Sequence, residues 1–183
     1  MVIEIVYFVH GTTNDNEKNI ATGWGDSTLS DLGFEQTKKM SQLLKDVPID
    51  IVFCSDLKRA VDSANIIWGS STRIVQDERL RECNYGELTG IKTSQLTSIM
   101  INHINNPFPG GESYKEVEKR IRNFLEDLKK NYLGKKVAIL AHQAPQLALD
   151  VITKDMTWKQ AIEEDWRRKQ PKEWKPGWTY YLS

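Results

Sequence analysis

Three stretches of nearly unbroken apolar character punctuate the chain: VIEIVYFV at 2–9, IDIVFC at 49–54 and KKVAILA at 135–141. Each is rich in β-branched residues and alternates little, the pattern of strands buried on both faces in a parallel sheet. Between them the period changes. After Ser55, residues Leu57, Ala60, Val61, Ala64, Ile67 and Trp68 recur at steps of three and four and predict one helical stripe. Ser113 and Glu116 make a capping-box signature ahead of Val117, Ile121, Phe124, Leu125 and Leu128. Thr157 and Gln160 repeat it ahead of Ala161, Ile162 and Trp166, and Ser30 predicts a cap in front of Leu32, Met40, Leu43 and Leu44. WTYYLS at 178–183 reads as a late strand. Strands alternating with helices predict an α/β fold, three α/β/α layers around a mainly parallel central sheet.

The least regular stretch is 85–112, with a short helix expected near 94–104 and a turn from Pro107 to Gly111. A segment of that length in a compact domain often covers a site, so it reads as a cap-like insertion in a single domain over 1–183. Charge adds little: 25 basic and 25 acidic residues balance, giving no field that favours nucleic acid or an anionic membrane. Arg167, Arg168 and Lys169 read as a solvated helix face rather than a nucleic-acid site. No apolar run reaches the ~20 residues of a membrane span, and no basic leader is visible, so the expected location is cytoplasmic. Cys54 and Cys83 are too few for a disulfide framework; Cys83 reads as a buried thiol, with redox sensitivity the alternative.

The chemistry collects where the strands stop. The first predicted strand ends at His10, the second at Ser55 and the third at His142, and α/β sheets bind ligands outside the carboxyl ends of their strands. Ser55 is expected to cap the next helix, whose start favours an anion. Arg59 would lie near that end and fork onto phosphate oxygens; its alternative is a surface ion pair with Asp62 or Asp56. His103 reads as a surface or loop residue.

Six ordered segments resemble a known pattern: VHGTTNDN (9–16), TGWGDSTLSDLGFEQ (22–36), CSDLKRAVDSANII (54–67), LRECNYGELTG (80–90), PGGES (109–113) and AILAHQAP (138–145). Together they resemble the histidine phosphatase, or phosphoglycerate mutase-like, superfamily. Its R-H-G-x-T-x-x-N motif is matched except at the arginine, where Val9 stands. The tail, TWKQAIEEDWRRK and on to PGWTYY, is similar to a branch of small bacterial relatives. Gln143, Ala144 and Pro145 replace the family's glycines after the last histidine.

The resemblance implies a metal-independent phosphatase with no cofactor, acting on a small phosphorylated metabolite. His10 would be the nucleophile that forms a phosphohistidine, neutral at its attacking nitrogen, with the other N–H held by a carbonyl or side chain. Glu82 would be the general acid and base. Arg59, His142 and Asn16 would hold the phosphoryl oxygens, with Gly11, Thr22, Gly23 and Gln143 completing the binding set. Val9 removes one cation from that set, and Lys58, Arg73, Arg79, Arg81 and Lys92 are candidate replacements. The Trp-rich tail (Trp158, Trp166, Trp174, Trp178) either shapes the leaving-group pocket or packs the C-terminus. Three alternatives stand beside the phosphatase. A catalytically weakened phosphate-binding module draws on Val9. A phosphoglycerate-type mutase would need added enclosing segments, and a flavodoxin-like nucleotide binder would need a Gly-rich first turn.

Overall fold

The computed structural model describes residues 1–69, 71–169 and 177–183, without the side chain of Lys169. Trp174 and the tail pattern across 170–176 lie outside the described residues. In chain order the elements are β1 (Ile3–Val9), α1 (Asn14–Glu17), α2 (Asp31–Leu44), β2 (Ile51–Cys54), α3 (Lys58–Ile67), β3 (Ile74–Gln76), α4 (Thr93–Ile99), α5 (Tyr114–Asn131), β4 (Lys136–Ala141), α6 (Gln143–Thr153), α7 (Trp158–Glu164), α8 (Trp166–Lys169) and β5 (Gly177–Leu182). The sheet runs β3-β2-β4-β1-β5. All neighbours are parallel except β5, which pairs antiparallel with β1.

Alternation along the strands sorts the core into two halves. Ile3, Ile5, Tyr7 and Val9 of β1, Phe53 of β2 and Ile139 of β4 face a cluster completed by α5, α6 and α7. Phe8, Val52, Cys54, Ala138 and Leu140 point the other way, onto Met40 of α2 and Ala60, Ala64 and Ile67 of α3. Both faces of the central strands are covered, which is why their sequence is continuously apolar rather than alternating. The strand β3 was not expected from the sequence. It has three residues, Ile74 and Val75 only half-buried and Gln76 exposed, so it carries too little periodicity to read.

The expected caps at Ser30, Ser113 and Thr157 form, the last two as full capping boxes. Ser55 does not cap a helix: α3 takes Leu57 as its N-cap, and Ser55 Oγ instead accepts the Leu57 N–H at 3.2 Å. The buried face of α2 also differs from the expected stripe. Leu32 and Leu43 are exposed, while Gly33, Thr37 and Met40 are buried. The reason is close approach of backbone: a Cβ on Gly33 would stand 1.9 Å from the Thr12 carbonyl oxygen, and one on Gly11 would stand 2.5 Å from the Gly33 oxygen. The loop after β1 thus lies directly on α2.

Segment 85–112 folds as a 3-10 turn at Gly86–Leu88, then α4, a second 3-10 turn at Met100–His103 and a tight return to α5. Gly86 has φ +52° and sits 2.1 Å, in Cβ terms, from the Pro109 oxygen, so only glycine fits where the two ends of the segment meet. Tyr85, Leu96, Met100 and Phe108 are buried beneath it, and the His103 ring stacks on Phe108 at 3.9 Å.

Candidate active site

His10 follows β1 directly, and its N–H donates to the Ala141 carbonyl at 3.2 Å, extending the ladder with β4 by one residue. Its Nδ1 lies 2.7 Å from the Gly11 carbonyl oxygen. A carbonyl only accepts, so Nδ1 carries the hydrogen and Nε2 keeps its lone pair. Burial, with the Arg59 charge second, lowers the His10 pKa to about 3, so the ring is neutral at physiological pH.

His142 follows β4 in the same way, and Tyr7 pins it from below. The Tyr7 hydroxyl donates to the His142 carbonyl at 2.6 Å and accepts the His142 N–H at 3.0 Å. The two histidine rings lie 5.0 Å apart, centre to centre, tilted by 59°. Burial, then the Arg59 charge, pushes the His142 pKa well below the ordinary histidine value. Both His142 ring nitrogens are buried without a hydrogen-bond partner among the described residues.

Arg59, one residue into α3, is 4% exposed. Its two terminal nitrogens donate to the Gly23 carbonyl at 2.6 Å and the Gly25 carbonyl at 3.0 Å. Gly23 makes this possible by its left-handed φ of +53°, where a side chain would collide with Tyr85. Each terminal nitrogen retains a second hydrogen for a ligand. Burial draws the Arg59 pKa below its usual range, opposed first by the Glu82 charge.

Glu82 is buried beside the start of α6. Oε1 accepts N–H bonds from Cys83 at 2.8 Å and Ala144 at 2.9 Å; Oε2 accepts one, from Gln143 at 3.1 Å. The open first turn of α6 holds the carboxylate as such turns hold anions. Behind it, the Glu82 carbonyl accepts from the Trp24 indole at 2.6 Å and the Arg120 guanidinium at 3.0 Å. Asn16 Oδ1 accepts the Thr13 N–H at 3.0 Å, which leaves the amide NH2 as the available donor. These groups converge on a cavity of about 90 Å³ whose walls include His10, Asn16, Thr22, Gly23, Arg59, Glu82 and Gln143, roofed by Tyr85, Thr93 and Leu96 of the irregular segment. The arrangement unites an unprotonated nitrogen nucleophile, a guanidinium, an amide donor and a carboxylate within one small enclosure.

A family model described as "Histidine phosphatase superfamily (branch 1)" matches residues 6–175. The chain belongs to the histidine phosphatase superfamily. It is 32% identical over 171 residues to the 2,3-bisphosphoglycerate-dependent phosphoglycerate mutase of Allorhizobium ampelinum, covering 82% of this chain and 81% of that one. Among solved structures, Bacillus stearothermophilus YhfR aligns with a TM-score of 0.77 at 26% identity, covering 87% and 83% of the two chains. A mycobacterial glucosyl-3-phosphoglycerate phosphatase complexed with VO3 aligns with a TM-score of 0.75 at 26% identity, covering 87% and 86%. Relatives in the superfamily thus include phosphatases and mutases, and the mainly parallel α/β architecture is theirs.

Several expected site features of this member of the histidine phosphatase superfamily fall elsewhere. Gly11 does not line the cavity: its N–H goes to Ser63 Oγ at 3.2 Å and its carbonyl accepts from His10, so it orients the His10 ring. Arg59 forms neither of the surface pairs considered for it, because Lys58 takes Asp62 and Arg81 takes Asp56. None of the five candidate replacements for the missing arginine reaches the cavity. Arg79 is held by Asp77 and Asp127, Lys92 by the Lys18 carbonyl, and exposed Arg73 precedes β3 at the opposite end of the sheet. Arg167 is not on a solvated face; it is wedged against Trp166 and Trp178. Trp158, Trp166 and Trp178 pack the core and the tail and do not line the cavity. Both cysteines are buried thiols, with burial pushing Cys54 up to about 12 and Cys83 higher still.

Sequence reasoning missed Tyr7, Trp24 and Arg120. Tyr7 reads as one more apolar strand residue, and Arg120 as a charge on an amphipathic helix. Their importance comes from partners over a hundred residues away for Tyr7 and 38 residues away for Arg120.

Among the described residues, no helix is long and apolar enough to cross a membrane.

Proposed function

We propose that the protein is a metal-independent phosphomonoesterase that works through a phosphohistidine on His10. The observation that carries this reading is the His10 ring itself: Nδ1–H committed to the Gly11 carbonyl, the imidazole neutral, and the ring on the wall of a cavity shared with Arg59 and Glu82. Nε2 attacks phosphorus in line as the ester P–O bond breaks, and Glu82 gives the leaving oxygen its proton. Oε2, which accepts a single backbone bond, has a lone pair left for that proton. Water then attacks the phosphohistidine, Glu82 takes its proton, and phosphate leaves with His10 restored. Arg59 and the Asn16 amide line the cavity and match charge on the phosphoryl oxygens as it develops, while His142, which does not line it, acts from beside the His10 ring. That the mycobacterial glucosyl-3-phosphoglycerate phosphatase forms a complex with VO3, a compact oxyanion, supports a phosphoryl group as the ligand of this cavity. The small cavity favours a single phosphoryl group, with the rest of the substrate under the 85–112 roof.

The test is phosphate release from an aryl phosphate and from sugar, nucleotide and carboxylate phosphates, with chelator present. Wild type is expected to turn over and His10→Ala to lose at least about a thousandfold in kcat. Undiminished turnover by His10→Ala, or activity that chelator removes, would sink the reading. Adding 3-phosphoglycerate to the panel addresses the mutase name carried by the A. ampelinum relative; conversion to the 2-isomer outpacing phosphate release would favour it.

A further inference from the structure

Among the described residues on the cavity wall, Arg59 is the one cation and Glu82 the one anion. The reaction commits both, Arg59 to the phosphoryl oxygens and Glu82 to the leaving oxygen. The remaining wall side chains are neutral, so a charge of either sign on the leaving group would go unpaired in a partly closed space.

Two of the polar wall residues are each turned by an aspartate. Thr22 Oγ1 lies 3.0 Å from Asp15 Oδ2. A carboxylate only accepts, so the single hydroxyl hydrogen is spent there, and Oγ1 meets a ligand with lone pairs alone. Gln143 repeats the device from the other end of the sequence. Its Nε2 donates to Asp165 Oδ2, while Asp165 Oδ1 accepts the Arg167 backbone N–H and Nη1, each at 3.0 Å. Asp165 is buried and paired with Arg167, so it turns the amide without adding net charge behind the wall. Held this way, the amide leaves Oε1, an acceptor, without a partner among the described residues.

Resting on the phosphatase reading, we propose that Thr22 and Gln143 are specificity-determining residues, and that the substrate is the phosphate ester of a neutral polyhydroxyl alcohol whose hydroxyls donate to Thr22 Oγ1 and Gln143 Oε1. A carboxylate or second phosphate on the leaving group would meet these lone pairs and the Glu82 charge with no free cation on the wall to offset them. The wall therefore selects against phosphorylated acids.

The test compares three esters of similar size: glycerol 3-phosphate, propyl phosphate, which lacks the hydroxyls, and 3-phosphoglycerate, which carries a carboxylate. For wild type, kcat/KM is expected to fall at least about tenfold from the first to the second and about a hundredfold from the first to the third. Gln143→Met and Thr22→Val are each expected to cut the advantage over propyl phosphate by about threefold or more. If one variant does not fold, the other decides. Equal or better turnover of 3-phosphoglycerate overturns the proposal, as does a loss that is the same for all three esters in both variants, the mark of a structural role. Calorimetry with the same esters, on wild type or on His10→Ala where hydrolysis intrudes, reads the order without turnover. Binding in the expected order by a protein that hydrolyses no monoester defeats the phosphatase reading and keeps the leaving-group assignment. Hydrolysis without that order defeats the assignment alone. Binding of none of the three overturns the assignment, and aryl phosphate turnover then decides the phosphatase reading.

Discussion

At His10, one hydrogen bond to a neighbouring carbonyl and partial burial beside the Arg59 charge fix both the tautomer and the charge of the ring. That has a thermodynamic counterpart. The folded protein keeps His10 neutral down to about pH 3, whereas an unfolded histidine takes up its proton near the ordinary 6.5. Below pH 6.5 the unfolded state binds more protons, so folding stability declines as pH falls, by about 2 kcal/mol at pH 5 from this ring alone. His10→Gln is therefore expected to flatten the fall in Tm between pH 6.5 and 4, read by thermal melts across that range. An unchanged slope would mean that His10 is protonated in the folded state. His10, Arg59, Glu82 and His142 were legible in the sequence because each stands at a fixed place in a motif. Gln143 was legible as a position, but its tie to Asp165 depends on a tail residue no spacing rule connects to it.

Elements carry these residues with little slack. The loop that holds His10 and Gly11 rests on α2 at Gly33, where no atom larger than hydrogen fits. Gly33→Ala is expected to cost about 3 kcal/mol or more, and to lower kcat in the surviving folded fraction as the loop lifts away. Denaturant melts and kcat measured on the same sample check both. Helix caps at Ser30, Ser113 and Thr157 were readable because they are local, set by side chains three residues from the N–H they satisfy. Ser55 misled for the same reason turned round: the residue type was right, but α3 begins after two further residues and its cap is Leu57. The exposure of Leu32 and Leu43 was equally hidden, since hydrophobic spacing could not show that α2 presents its small residues inward.

At the scale of the whole molecule, the cavity is walled by His10 after β1, Asn16 of α1, the loop 20–23, Arg59 of α3, Glu82, the first turn of α6 and the irregular 85–112 segment. A ligand that binds only this assembled form must stabilise all of them together. Phosphate at about a hundred times its Kd should add about 2.7 kcal/mol and raise Tm by about 5–10 °C, and Arg59→Met should erase most of that rise in a thermal-shift titration. A shift that persists in Arg59→Met would place the phosphate somewhere else. The layered α/β class was legible because strand and helix periods differ. Strand order was not, since the pairing of β1 with β4 and β5 joins residues over 130 positions apart.

That strand order also sets a timetable. β1 precedes the other described strands, yet its sheet neighbours, β4 and β5, begin only at Lys136 and Gly177. Throughout synthesis of the intervening residues, Ile3–Val9 is a naked apolar strand with two open edges, the kind of segment that invites aggregation. His10, behind it, has no partner on β4 until Ala141 has been made, so the site stays unassembled and the strand in need of shelter for as long as the residues between them are being translated.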